Sequence, residues 1–206
     1  MSFPKVKVVG EMEPKKRLFF AIQPEGLKDS PEIQTLVKKL RIGVDRRGWE
    51  VKWTPDVNWH FTLSFVGETE EERVPEMLDI LKNVAEHGAH FNLPLKGVGA
   101  FPSEREARVL WVGAPAKRSL VELQQTLAGE LEKRGFPIDE RGYRPHLTVG
   151  RLRNPKGVGD LISPFVRNKF GEFQVTEILL MESVQARFFP VYKILAREPL
   201  MGLVSE

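Results

Sequence analysis

Cysteine is absent from the 206-residue chain, which excludes a disulfide scaffold, a thiolate zinc site and a cysteine nucleophile together. Long apolar runs are missing too. No stretch approaches the roughly 18 consecutive apolar residues of a membrane span, and the charged start MSFPKVKVVGEMEPKKR lacks the apolar centre of a secretory signal. A cytoplasmic protein is the expectation. No Gly-rich phosphate loop opens either long helical segment, which disfavours a doubly wound nucleotide fold. Strong charge of one sign is likewise lacking: 31 Lys and Arg against 28 Asp and Glu leave a formal charge of +3. That is too mild for a purely electrostatic nucleic-acid binder.

What is present suits a folded domain. Hydrophobic residues make up 41% and charged residues 29%, over a length that fits one domain or two small lobes sharing a core. The positive surplus is local: residues 101–156 carry 11 basic and 7 acidic side chains, whereas residues 1–100 carry 15 of each. A local positive field favours an anionic ligand, although a solvated basic face is the commoner source of such an excess.

Hydrophobic periodicity gives an irregular alternation of strands and helices. RLFFAIQ at 17–23 reads as a buried strand ended by Pro24. Asp29 or Ser30 can cap the helix that follows, with Pro31 in its first turn and Ile33, Leu36, Val37, Leu40 and Val44 on one face. WHFTLSFVG alternates as a strand, and the helix after it has an acidic first turn that Pro75 delays or bends. In the second half, HFNLPLKGVGAFP and RVLWVGA are strands joined by a polar turn, and Leu120, Leu123, Leu127 and Leu131 line a helix that stops at Gly135. PHLTVGRL is a further strand, residues 154–168 read as a loop and short helix, and FGEFQVTEILLMESV with VYKILARE forms a closing antiparallel pair. Residues 1–16 read as an N-terminal extension, a tail or an added edge strand, preceding a single domain over 17–206. The fold class is α+β, with helices packed outside antiparallel sheets.

One four-residue pattern occurs once in each half: HFTL at 60–63 and HLTV at 146–149. Strand side chains alternate between faces, so His60 and Thr62 share one face while Phe61, Leu63 and Phe65 take the other. His146 and Thr148 stand in the same relation to Leu147 and Val149. Each strand thus carries an imidazole and a hydroxyl above an apolar underside. A lone histidine on a strand is more often a half-buried structural residue, but two matched copies use two of only four histidines.

These paired H-x-T-x strings resemble the 2H phosphoesterase superfamily. The flanking sequence is similar to its RNA 2′,3′-cyclic phosphodiesterase branch, proteins once called 2′-5′ RNA ligases. The resemblance runs in order through RLFFAI, NWHFTLSFVG, FPSEREARVLWVG, YRPHLTVGR and MESVQARFFPVYKIL. It implies two pseudo-symmetric lobes, one H-x-T-x strand in each, an active-site cleft between them, and no metal or other cofactor. It also implies roles. His60 would be the general acid facing the ribose 3′ oxygen, His146 would activate water to leave a 2′-phosphate, and Arg151 would contact phosphate. Tyr192 and Ser183 match the family's C-terminal pattern without a derivable role.

The chemistry suits those residues. Opening a cyclic phosphate needs a base for water and, in line across phosphorus, an acid for the departing oxygen. Two imidazoles with an ordinary pKa of about 6.5 can divide that work near neutral pH. The hydroxyls of Thr62 and Thr148 are short donors for non-bridging phosphate oxygens. Simple alternation puts Arg151 on the wrong face of its strand, so a bend or strand end near Gly150 is required. Phe20, Tyr143 and Arg144 are candidate nucleotide contacts, with Arg105, Arg108 and Arg141 as a basic rim. His87 and His90 lack a carboxylate or third ligand at ordered spacing and read as helix-end residues rather than a metal site.

The expected activity is metal-independent hydrolysis of RNA ends bearing 2′,3′-cyclic phosphate to 2′-phosphate, together with reversible 2′-5′ RNA ligation. The alternatives are a non-catalytic RNA-end binding module and a phosphodiesterase acting on 2′-5′ oligonucleotides or small cyclic nucleotides. Arginine or lysine would grip phosphate without depending on pH, which speaks against the binding module. The expected partners are RNA ends or small cyclic nucleotides and no membrane, with a monomer favoured.

Overall fold

The computed structural model describes residues 14–139, 142–186 and 190–202. Most of the expected N-terminal extension, and Arg141, lie outside the described residues. The elements run β1 (Lys15–Ile22), α1 (Pro31–Asp45), β2 (Val51–Trp53), β3 (Phe61–Glu70), α2 (Val74–His87), β4 (Phe91–Lys96), β5 (Val98–Phe101), β6 (Ala107–Gly113), α3 (Arg118–Lys133), β7 (His146–Lys156), α4 (Gly159–Ile162), β8 (Lys169–Val175), β9 (Glu177–Val184) and β10 (Val191–Pro199). The class is α+β with antiparallel sheets. Among the described residues, no helix is long and apolar enough to cross a membrane.

The amphipathic stripes fold as the periodicity predicts. Ile33, Leu36, Leu40 and Val44 of α1 and Leu120, Leu123, Leu127 and Leu131 of α3 are all buried. Pro31 occupies the first turn of α1, where its missing N–H costs nothing. The Ser30 hydroxyl donates to the Glu32 carboxylate at 2.6 Å instead of capping the backbone. Pro75 does delay α2, which starts at Val74 after a 3₁₀ turn over Glu71–Arg73.

Two halves meet in one sheet. Its strand order is β10-β9-β1-β3-β7-β6-β5, with β2 pairing β7 beside the main path. Among the described residues, β3 and β7 pair through Phe61 and Leu147 alone. The helices interleave: α3 packs against β3, while α2 packs against α3, β9 and β10.

Several boundaries differ from the sequence reading. The run 90–102 divides at Gly97, which adopts φ 78°, and β4 leaves the main sheet to pair with β8. The run 170–184 divides at Thr176, so β8 pairs with β4 and only β9 pairs with β10. β1 begins two residues earlier than predicted, and β7 continues through Lys156 into the segment read as loop. In each case the backbone partner sets the strand's extent, which hydrophobic alternation alone does not report.

Candidate active site

The seam between the halves builds the site. Phe61 and Leu147 are each fully buried at 0% exposure, pinning the undersides of both H-x-T-x strands into the core. Alternation then turns His60, Thr62, His146 and Thr148 to the opposite face, where all four line one cavity of about 160 Å³. The antiparallel sense of the pair sends His60 toward the Thr148 end and Thr62 toward the His146 end.

Both imidazoles are held in the same way. His60 Nδ1 lies 2.7 Å from the Asn58 carbonyl oxygen, and His146 Nδ1 lies 2.7 Å from that of Arg144, in each case two residues back along the chain. A carbonyl only accepts, so Nδ1 carries the proton and donates in both rings, leaving Nε2 as the nitrogen that titrates. Aromatic edges confine the rings further. Tyr192 meets His60 at a centroid distance of 4.9 Å and 82°, and Phe101 meets His146 at 4.9 Å and 83°. Phe19 adds a tilted contact to His60 at 5.1 Å.

This enclosure sets the electrostatics. Burial pushes His60 down to about 4, against the upward pull of its bond to Asn58, and the neighbouring His146 and Arg151 push it lower. Burial also lowers His146, with Arg151 adding to it and the Arg144 carbonyl opposing. Both shifts favour the neutral form of the ring. Burial raises the Tyr192 hydroxyl as well, so it is a neutral donor.

Arg151 reaches the cavity through a bulge. Trp111 of β6 pairs with Thr148, but the adjacent Leu110 pairs with Gly150, so Val149 is an extra residue in β7. The insertion reverses the alternation, and Arg151 joins the lining with His146. The Val149 carbonyl finds a donor in Thr54 N–H at 2.9 Å. Gly150 is required here, because a Cβ would stand 2.9 Å from Val51 and 3.1 Å from Trp53 of β2. β3 bulges at Leu63 in the matching place, since Phe20 pairs with Ser64 and Ala21 with Thr62. Phe65 is thus the counterpart of Arg151, half exposed at the cavity wall.

The other candidates scatter. Phe20 is fully buried in the core and does not contact the cavity; its neighbour Phe19 touches His60 instead. Tyr143 packs against the core with its hydroxyl buried and, among the described residues, without a hydrogen-bond partner, and burial raises its pKa. Arg144 contributes its backbone carbonyl to His146 while its side chain is exposed. Arg105 and Arg108 are exposed and lie outside the cavity lining. Ser183 pairs across the strand with Tyr192. His87 bonds the Asn83 carbonyl at 2.8 Å, and His90 bonds that of Leu200 at 2.8 Å, both as structural contacts. Among the described residues, no cluster of three or more His, Asp or Glu side chains is placed to hold a metal ion.

Sequence reasoning missed the wall supplied by Lys52, Trp53, Thr54 and Pro55. The three-residue β2 is too short to show alternation, and Trp53 itself was the available signal. Tyr192 had no derivable role until the fold brought β10 beside β9 and its ring against His60.

An antiparallel sheet whose two central strands present histidine–threonine pairs to a single cavity defines the class of the paired-histidine phosphoesterases. The chain belongs to the 2′-5′ RNA ligase superfamily, whose family model matches residues 11–187. It is 31% identical over 182 residues to the RNA 2′,3′-cyclic phosphodiesterase of Methanothermobacter thermautotrophicus, covering 86% of this chain and 95% of that one. It is 35% identical over 180 residues to the enzyme of that name from Archaeoglobus fulgidus, covering 86% and 96%. Among solved structures, a Thermus thermophilus protein superposes with a TM-score of 0.74 at 30% identity, covering 90% of this chain and 98% of that one. E. coli LigT complexed with 3′-AMP shares the fold, with a TM-score of 0.67 at 24% identity and coverage of 91% and 99%.

Proposed function

We propose that the protein hydrolyses 2′,3′-cyclic phosphate ends of RNA to 2′-phosphates by acid–base catalysis between His60 and His146, without a metal ion. The observation that carries this reading is the matched tethering of the two rings, which frees both Nε2 atoms for one cavity. The names of the relatives support the same substrate class.

In this mechanism the cyclic phosphate enters with its non-bridging oxygens toward Thr62, Thr148 and Arg151. His146 Nε2 takes a proton from water as the water oxygen bonds to phosphorus. The bond from phosphorus to the ribose 3′ oxygen breaks on the opposite side, and His60 Nε2–H protonates that oxygen. One proton is taken up and one released, so no net proton change is required of the pair. The phosphate's negative charge raises both histidines toward their ordinary range when it binds, which supplies the protonated His60 that burial disfavours. Arg151 and the threonine hydroxyls stabilise charge that redistributes over the phosphate oxygens. When a 5′ hydroxyl takes the place of water in the same steps, His146 takes its proton, its oxygen bonds to phosphorus as the 3′ oxygen leaves and is protonated by His60, and the product is a 2′-5′ linkage; the reverse of that transfer exchanges the two roles.

The test is to incubate an oligonucleotide ending in 2′,3′-cyclic phosphate with the protein in excess chelator and analyse the product. Accumulation of the 2′-phosphate supports the reading. No turnover, turnover that chelator abolishes, or an exclusive 3′-phosphate product contradicts it.

A further inference from the structure

A second cavity, of about 380 Å³, adjoins the candidate site and shares Thr54 and Pro55 with it. Its outer wall is the exposed flank of α1, where Lys38 and Arg41 stand one helical turn apart. Its floor is Trp59, which is buried and donates its ring N–H to the Thr54 carbonyl at 3.3 Å. Arg41 also lies over the Trp53 ring at 5.3 Å, and Trp53 lines the candidate site. The two cavities therefore share Thr54 and Pro55 as a common wall.

Charge gives this second cavity a direction. Among its lining residues two cations, Lys38 and Arg41, stand against one carboxylate, Asp56. The Asp56 side chain is engaged by the Val57 backbone N–H at 2.8 Å. On the far side of the shared Thr54–Pro55 wall, a polyanion extending from the candidate site would meet Lys38 and Arg41 above the buried Trp59.

We propose that this second cavity binds the nucleotide that precedes the cyclic end, with Lys38 and Arg41 holding the phosphate that links it to the terminal nucleoside. The favoured substrate is thus a single-stranded RNA chain rather than a free cyclic mononucleotide. The proposal rests on the reading of the site given above and extends it to a second subsite. Exposed lysine and arginine at adjacent turns hold a backbone phosphate without reading its base, so the subsite is sequence-tolerant.

The experiment compares a 2′,3′-cyclic mononucleotide with a single-stranded RNA decamer bearing the same end. Hydrolysis is measured for the unaltered protein and for the double variant Lys38→Gln/Arg41→Gln. The ratio of kcat/KM on the decamer to that on the mononucleotide should fall about tenfold in the variant. The salt dependence of the decamer's log kcat/KM should flatten by roughly 1 to 1.5 in slope, as expected for two lost contacts to a single strand. A control, Lys39→Gln/Arg46→Gln, removes the same charge from exposed positions on α1 and at its C-terminal cap, outside this cavity. An unchanged ratio in the first variant, or an equal fall in the control, overturns the subsite.

Binding separates this failure from failure of the catalytic reading. Anisotropy of a labelled decamer ending in a 3′-phosphate needs no turnover. If neither substrate is hydrolysed, the catalytic reading fails, yet binding that weakens about tenfold only in Lys38→Gln/Arg41→Gln still supports the subsite. Binding unchanged in that variant overturns it.

Discussion

Phe61 faces Leu147 across the seam of the sheet, and each is the residue that follows a motif histidine. This pair fixes how the two halves of the site meet, because both side chains are fully buried while the histidines beside them turn outward. Phe61 also stacks on Phe173 at 5.8 Å, which ties the seam to β8.

Removing that anchor should loosen fold and site together. Phe61→Ala is expected to cost about 3–5 kcal/mol of stability, the usual penalty for emptying a buried aromatic position. The denaturant midpoint measures it. A loss below about 1 kcal/mol would show that the seam is held elsewhere.

Acid should unfold the protein partly through His60. Its folded-state pKa lies at about 4, below the ordinary value, so the unfolded chain binds the proton more readily. The resulting stabilisation is complete above about pH 6.5 and is lost as pH falls toward 4. Denaturation series across that window should show stability falling less steeply in His60→Gln than in the unaltered protein. Parallel curves would contradict the assigned burial.

Anion binding should run with the same sign. Sulfate keeps its charge across this range, and its presence between the rings favours their protonated forms. Calorimetric titration should therefore show affinity rising from pH 7 to pH 5. In His60→Gln/His146→Gln that rise should vanish, and a rise that persists would place the titrating group elsewhere.

Arg151 depresses the two imidazoles, and in the proposed mechanism it also holds phosphate. Arg151→Gln should lower kcat/KM by roughly 10- to 100-fold, the scale of a lost charged hydrogen bond. It should also move the acidic limb of the pH profile upward, because removing a cation eases protonation of its neighbours. Arg151→Lys restores the charge without the two-pronged geometry and should recover only part of the rate. A profile that stays in place would mean the arginine acts through packing.

The bulge can be tested at Gly150. In Gly150→Ala the added methyl meets Val51 and Trp53 within 3.1 Å, so a loss of about 1–3 kcal/mol is expected from overpacking. Thermal denaturation reads it. Unaltered stability would show that β2 yields freely.

Much of this arrangement was legible before any coordinates. The two H-x-T-x strings stood out because alternation gave each a polar and an apolar face, and the need for a bend near Gly150 followed from Arg151's parity. Other parts depend on non-local pairing. Phe19 and Phe20 are adjacent aromatics, and only the partner strands show that Phe19 meets His60 while Phe20 enters the core. Tyr143 precedes the second motif closely enough to suggest a stacking role, but its ring packs inward. The wall at 52–55 is not legible in the sequence because it begins on a three-residue strand, held against Gly150 of β7, and continues past that strand's end.

The central claim is that His60 and His146 act as one acid–base pair. Its most direct measurement is the single-turnover rate on a 2′,3′-cyclic phosphate end for His60→Gln, His146→Gln and the double variant. Each single substitution should slow the reaction by roughly 10²- to 10⁴-fold, and the double variant should be little slower than either, because the two groups serve one step. A near-normal rate in either single variant would contradict the pairing.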